Sequence, residues 1–415
     1  MKKRVLRVGL ISSYVPKKCG IATYSRDLIE AMNDRGDFDW RVVAAEDPSE
    51  SHDYGDRALA VIKKDSLESY HVAAKSLNAW RPDVILLEHE YGLYGGEWSD
   101  FKKDGIDFHV PTGNYVLELI NRLTAPVITT LHTVLTDPGD ARRRTINQID
   151  KRTSKFVAMT NDTRDVLGQD YGIKGSHVAV IPHGVPQADK QDRRVILEKL
   201  GLREDRFYML ITGLIGPNKG IDVVIRALPK ILSKHPQVTL LVVGQTHPDI
   251  LASAGEAYRE GLLRLAEELG VSNALQFVNE YLPTERLVDY FTIADIYLTI
   301  HSDPEQSASG TLAYALGCGL AAISTPYRYA REVLADGRGF LVPFNSHEAI
   351  VKQANELIEN TKLRQQTRKK AMKYGDMMSW PIVAEAYLRL FQEVITEDKV
   401  ISEYAHDKTA TITVL

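Results

Sequence analysis

The sequence of 415 residues is poor in cysteine, with only Cys19 and Cys318. Two thiols cannot build a disulfide framework, and this composition fits a reducing compartment, so a cytoplasmic location is expected. No run of about 18 apolar residues occurs, so no transmembrane segment is expected. The start, MKKRVLRVGLIS, has a basic flank but no long apolar stretch before charge returns. It reads as a first strand and not as a signal peptide. Neither sign of charge dominates: 51 Lys and Arg stand against 55 Asp and Glu, a net charge of −4. No basic field therefore invites nucleic acid. Several motifs are also missing. No G-x-G-x-x-G follows the first strand, which argues against a simple dinucleotide oxidoreductase. Lys219 is followed by Gly220 and not by Ser or Thr, so its loop is no Walker A motif. No H-E-x-x-H, clustered Cys and His, or D-x-D loop stands out.

What remains is an ordinary globular composition, 44% apolar and 26% charged, in a chain long enough for two domains. Strand and helix patterns alternate. Buried-strand patterns fall at Val5–Ser12, Asp83–His89, Pro126–His132, Lys155–Thr160 and Val178–Gly184, with a helical spacing at Ala22–Met32. The order restarts at Phe207–Gly213, after a polar charged stretch near 187–194. A helix from Ile221, TLLVVG, ALQFV, DIYLTI, AAIST and FLVPF follow, with helices between them. Strands separated by helices imply parallel sheets covered on both faces. The expected fold is α/β, two doubly wound Rossmann-like domains facing across a cleft. Ligands in such sheets bind beyond the carboxyl ends of the strands. That rule selects the loops 13–21, 89–96 and 132–136 in the first domain. In the second it selects 213–220, 244–247, 280–281 and 301–310.

Three of these loops carry chemistry. PEQSASGTLAYALGCG, from Pro304, runs a loop of small residues into a short apolar helix, with Thr311 as the expected N-cap. Backbone N–H groups of Ser307, Ser309, Gly310 and Thr311 at the positive end of a helix suit a phosphate. GLIGPNKGID, from Gly213, is glycine-rich, including Gly216, and offers Lys219 to the same anion just ahead of a helix. EHEYGLYGGEW, from Glu88, gathers His89, Glu90, Tyr91, Tyr94 and Trp98 after a strand. Aromatic faces beside carboxylates commonly bind sugars, so His89, Glu90 and Tyr91 are expected at a sugar or acceptor site.

Gly213-Leu214-Ile215-Gly216-Pro217-Asn218-Lys219-Gly220 resembles the G-R-L-x-x-x-K-G of the donor domain in GT-B glycosyltransferases of the retaining family 4 group. Ala294-Asp295, then HSDPEQ, then Tyr314-Ala315-Leu316-Gly317-Cys318-Gly319 resemble that family's A-D strand, Pro-Ser loop with glutamate, and E-A-x-A-x-G. IPHGVP resembles its I-P-N-G-V-D, and SWPIVAEAYLRLF its closing helix. The resemblance covers nearly the whole chain. It implies a GT-B arrangement: an acceptor-side domain over 1–190 and a nucleotide-sugar domain over 191–379. A closing helix over 380–397 crosses back to the first domain, and a polar tail follows at 398–415.

The implied activity is retaining transfer of a hexosyl group, mannosyl in preference to glucosyl, from a nucleotide-diphosphate sugar to a carbohydrate-type acceptor. The nucleotide sugar is a co-substrate; no cofactor and no metal are implied, and domain closure over the donor is. Lys219 is implied at the diphosphate, Tyr314 at the nucleoside, His132 beside the transferred sugar, and Gly20 in the acceptor-side loop. Departures accompany the likeness. The family's arginine position holds Leu214, and its second glutamate falls on Tyr314. Gln306 has the spacing of the first glutamate and Glu305 its local context; Glu305 is taken as the acidic group near the donor sugar. Arg328 and Arg331 are candidates for the missing arginine charge. Lys17 and Lys18 read as a solvated pair, and Cys19 is not a nucleophile. A glycoside phosphorylase on the same architecture and a non-catalytic sugar-binding protein are the rival readings. Homo-oligomerisation is left open.

Overall fold

Apolar runs too continuous for a half-exposed strand dictate the architecture. VILLEH and VTLLVV are buried at every position, which requires helices over both faces of a parallel sheet. The computed structural model describes residues 5–103, 106–186 and 192–412, without the side chains of 98–99, 101–111 and 401–412. Residues 187–191 of the expected inter-domain stretch, and the Trp98 side chain, lie outside what is described.

The chain forms two units, Met1–Pro182 with Trp380–Leu415, and His183–Ser379. In the first, the strands are β1 (Leu6–Ser12), β2 (Phe38–Glu46), β3 (Ala58–Lys63), β4 (Val84–His89), β5 (Trp98–Lys103), β6 (Ile106–Pro111), β7 (Val127–Leu131), β8 (Thr153–Ala158) and β9 (Val178–Val180). Seven of them make one parallel sheet in the order β3-β2-β1-β4-β7-β8-β9, and β5 and β6 form a separate antiparallel hairpin. The second unit holds β10 (Phe207–Thr212), β11 (Val238–Val243), β12 (Leu275–Val278), β13 (Ile296–Thr299), β14 (Ala321–Ser324) and β15 (Gly339–Leu341). Their order is β12-β11-β10-β13-β14-β15, again parallel. In each sheet the strand order reverses beside the first strand, between β1 and β4 and between β10 and β13. Those two switch points are where doubly wound sheets bind ligands.

The expected strand over 178–184 stops at Val180, because Pro182 lacks the N–H that would continue the ladder. The Trp380–Ile412 helix packs Val383, Ala384, Tyr387, Leu390, Phe391 and Val394 into the first unit at helical spacing. The helix continues through 398–412, where a polar tail is expected; no glycine or proline follows Pro381 to stop it.

Backbone closeness at the β10 end fixes one glycine. Gly244 has φ +147°, and a Cβ there would lie 2.0 Å from the Gly213 carbonyl oxygen. Gly244→Ala is expected to lower stability by at least about 2 kcal/mol, through strain and through displacement of the loop. Urea unfolding of the variant checks it, and an unchanged midpoint refutes the close approach.

Candidate active site

At the second unit's switch point, β10 is followed by Gly213, whose φ is +111°. The chain then turns through the Pro217–Lys219 3₁₀ turn to Gly220, at φ +59°. A Cβ on Gly220 would fall 2.2 Å from the Ile300 carbonyl oxygen, so the glycine lets this turn sit against the end of β13. Asn218 carbonyl accepts from the Ser302 amide at 3.0 Å, which ties the same two loops. Lys219 is thereby folded back over Gly213. Its Nζ is 3.1 Å, and the Thr311 methyl 3.4 Å, from where a Gly213 Cβ would stand.

Among the described residues no carboxylate pairs with Lys219, and burial pushes its ammonium down to about 8 from an ordinary 10.5. The sign of the pH dependence follows. Below pH 8 the folded protein carries the full cost of the buried cation. Between 8 and 10.5 the unfolded chain holds the proton that the folded one has lost, so stability rises with pH in that window. An anion bound at Lys219 favours the charged form. Nucleoside diphosphate is therefore expected to bind with uptake of a proton above pH 8, and to weaken as pH rises further. Calorimetry at pH 8.5 in two buffers of different ionisation enthalpy measures that proton; a buffer-independent enthalpy refutes it.

The small-residue loop sits beside this lysine and is held from behind. Arg328 amide donates to Pro304 carbonyl and Tyr329 amide to Gln306 carbonyl, both at 3.1 Å. Ser307 and Ser309 are buried, 5% and 6% exposed. The helix Gly310–Gly317 is capped by Ser309, whose Oγ accepts from Leu312 N at 3.3 Å, and not by the expected Thr311. Thr311 is one residue inside the helix and turns its methyl toward Gly213. Gly310 has no positive φ; a Cβ there would come within 2.9 Å of His183 Nε2, so the neighbouring imidazole is what demands a glycine. Gly216 is extended at φ −166°, and its missing Cβ leaves room for Ile250.

Tyr314 lies in the core, its ring edge-on to His183 and Phe291. Tyr314 is 5% exposed and packs on these two rings, and its neighbour His183 lies in turn against Gly310. Arg328 is 2% exposed with Nη1 3.8 Å from Glu305 Oε2, so the arginine and the glutamate hold each other. Arg331 is exposed. Gln306 spends its side-chain amide on the Ala308 carbonyl, to which it donates at 2.6 Å.

In the first unit the ends of β4 and β7 lie side by side. His132 Nε2 is 2.7 Å from Glu88 Oε2, with Glu88 fully buried and His132 9% exposed. The Tyr24 ring, on the Gly20–Asn33 helix, meets the imidazole edge-on at 5.2 Å. Tyr24 hydroxyl bonds that of Tyr387 at 2.9 Å, and Tyr387 bonds Thr130 Oγ1 at 2.9 Å. Glu90 accepts from Thr133 Oγ1 at 2.5 Å, so His132 and Glu90 do come to one strand-end region.

The aromatic cluster does not. His89 is fully buried, stacked on Tyr94 and edge-on to Tyr91; among the described residues neither ring nitrogen has a hydrogen-bond partner. Burial, with the nearby His132, pushes His89 down to about 3. Tyr91 and Tyr94 are 3% and 1% exposed. Their hydroxyls serve protein partners: Tyr91 meets Tyr171, and Tyr94 donates to the Ile11 and Glu88 carbonyls. His89 and Tyr91 therefore build the core beneath the loop and offer no sugar platform. Lys17 is no solvated lysine: Asp47 and Glu50 bind its Nζ at 2.5 and 2.7 Å. Gly20 opens its helix, and a Cβ there would meet nothing within 4 Å.

Glu88, Tyr24 and His301 were not singled out in the sequence. Glu88 had a signal, because a carboxylate inside the apolar run DVILLEH has to find a buried partner.

Two parallel doubly wound units, each with a switch point beside its first strand, are the framework of a glycosyltransferase of GT-B type. Two family models match the chain, Glycosyltransferase Family 4 over residues 19–188 and Glycosyl transferases group 1 over 192–374. The chain belongs to the GT-B glycosyltransferases of the family 4 type. It is similar to a D-inositol 3-phosphate glycosyltransferase of Streptomyces avermitilis, 26% identical over 58% of this chain and 52% of that protein. It is also similar to a phosphatidyl-myo-inositol mannosyltransferase of Mycolicibacterium smegmatis, 27% identical over 53% of each chain. The matched stretch thus spans about half the length of these relatives. Among solved structures, Anabaena HepE in complex with UDP and glucose matches at TM-score 0.71 and 16% identity, over 94% of this chain and all of that one. A Rickettsia africae glycosyltransferase matches at TM-score 0.70 and 17% identity, over 95% and 99%. These two share the fold. No helix among the described residues is long and apolar enough to cross a membrane.

Proposed function

We propose that the protein is a retaining glycosyltransferase. It moves a hexosyl group, mannosyl in preference to glucosyl, from a nucleotide-diphosphate sugar to a hydroxyl of a carbohydrate-type acceptor. One observation carries the reading. Among the described residues no carboxylate pairs with Lys219, a desolvated cation set at a switch point beside the Ser309-capped helix start. A diphosphate supplies the charge that the protein withholds. The mannosyltransferase among the relatives and the UDP of the Anabaena structure support the choice of donor.

In the reaction, the bond between the anomeric carbon and the leaving phosphate oxygen breaks, and the acceptor oxygen bonds to the same face of that carbon. The acceptor's proton passes to the departing phosphate oxygen. Lys219 and the amides of the 307–311 loop stabilise the charge that develops there, and Glu305 lies on the same loop for the donor sugar. His132, oriented by Glu88, serves the sugar from its own unit. No metal or organic cofactor takes part in this scheme.

Incubation with a panel of nucleotide sugars, and separately with sugar 1-phosphates, tests the reading by the product released. Nucleoside diphosphate release in the presence of an acceptor supports it. Phosphate release from sugar 1-phosphates points instead to a phosphorylase, and silence in both arms to a binding protein.

A further inference from the structure

His301 follows β13 by two residues and is 4% exposed, yet its Nδ1 has no hydrogen-bond partner among the described residues. A buried imidazole nitrogen left unsatisfied costs about 1–3 kcal/mol, and an apolar residue of the same size would avoid that cost. The backbone around it is fixed on three sides. Ile300 carbonyl abuts Gly220, Ser302 amide bonds Asn218 carbonyl at 3.0 Å, and His301 carbonyl accepts from Thr325 Oγ1 at 2.6 Å. The ring itself stands edge-on to Tyr327, centroids 5.1 Å apart, and Tyr327 is anchored to Thr299 Oγ1 at 3.0 Å. His301 is thus held rigidly against the turn that carries Lys219.

The two side chains are electrically coupled. Burial, with the Lys219 charge added, pushes the His301 imidazole well below its usual range. It stays neutral beside a cation, so it offers a hydrogen-bond donor without adding a second charge that would repel the first.

We propose that His301 is a donor-site residue, whose neutral imidazole hydrogen-bonds the terminal phosphate of the nucleoside diphosphate beside Lys219. This rests on the donor chemistry assigned under the proposed function. His301 acts as a selector for the second phosphate: it contacts the group that distinguishes a diphosphate from a monophosphate and leaves the nucleoside alone.

The test titrates UDP, GDP and ADP into the full chain by calorimetry, takes the tightest binder, and compares it with its monophosphate. His301→Phe keeps the ring and removes the donor; His301→Gln restores an N–H. The Phe variant is expected to bind the diphosphate about tenfold more weakly and the monophosphate within about twofold of the native protein, with much of the loss recovered in the Gln variant. Thermal melts of both variants accompany the titrations. Equal weakening of both nucleotides, or unchanged diphosphate affinity in His301→Phe, overturns the inference and leaves the donor assignment standing. Failure of the native protein to bind any of the three diphosphates overturns the donor assignment and the inference with it.

Discussion

Lys219→Ala is expected to lower kcat/KM by about 2–4 kcal/mol, a factor of roughly 30 to 1,000, the scale of losing one well-placed donor to developing charge. The same variant is expected to be at least as stable as the native protein. The ammonium is desolvated and no carboxylate among the described residues pairs with it, so its charge is a cost to the folded state that alanine removes. Stability and activity therefore move in opposite directions, which a merely structural lysine would not produce. Lys219→Arg is not expected to rescue. The guanidinium is wider and always charged, and Lys219 Nζ fits closely over Gly213 between Thr311 and the turn. Steady-state kinetics with the donor found in the panel, beside urea unfolding at pH 7, decide it. Near-native turnover in a folded Lys219→Ala protein removes this residue from the mechanism.

Most of what places Lys219 is legible in the sequence. The apolar runs that become β10, β11 and β13 are short and uniform, and the glycines between them mark strand ends. Strand-end loops can then be selected before any motif is named. The first unit was harder to read. β2 begins FDWR, with charge on alternate residues, and β3 is a six-residue edge strand, so neither announces itself. The hairpin of β5 and β6 follows directly on the aromatic loop and takes its last residue, Trp98, as a strand start.

The site residues divide along a similar line. Composition shows that His89, Tyr91 and Tyr94 are amphipathic, but their direction depends on tertiary packing. Here they turn under the loop and spend their polar atoms on Ile11, Glu88 and Tyr171. Tyr314 behaves likewise: a residue one turn into a helix lies on either face, and its neighbours His183 and Phe291 come from distant parts of the sequence. Ser309 and Thr311 are both good N-caps two residues apart, and only the helix start, set by tertiary packing, selects Ser309.

His132→Ala is expected to cost both turnover and stability, and the two losses can be separated through Glu88. The native imidazole bonds Glu88 Oε2 at 2.7 Å, and the carboxyl is entirely shielded from water. Truncation leaves that carboxyl without its partner in the core, at a cost of about 3–5 kcal/mol if it remains charged. Urea unfolding of His132→Ala is expected to show a loss on that scale. Adding Glu88→Gln replaces the stranded charge by a neutral amide of nearly the same shape, so the double variant is expected to regain much of the stability. Turnover is not expected to return with it, because the group proposed to serve the sugar is still missing; it stays lower by about 100-fold, the scale of losing one group that positions the reacting sugar. Nucleoside diphosphate affinity belongs to the Lys219 site and is expected to stay within about twofold throughout. Glu88→Gln alone keeps the hydrogen bond but loses the anion that fixes the imidazole's tautomer, so it is expected to shift the pH profile of kcat while leaving the melting temperature nearly unchanged. If the double variant recovers activity along with stability, His132 is a packing residue whose only task is to satisfy Glu88.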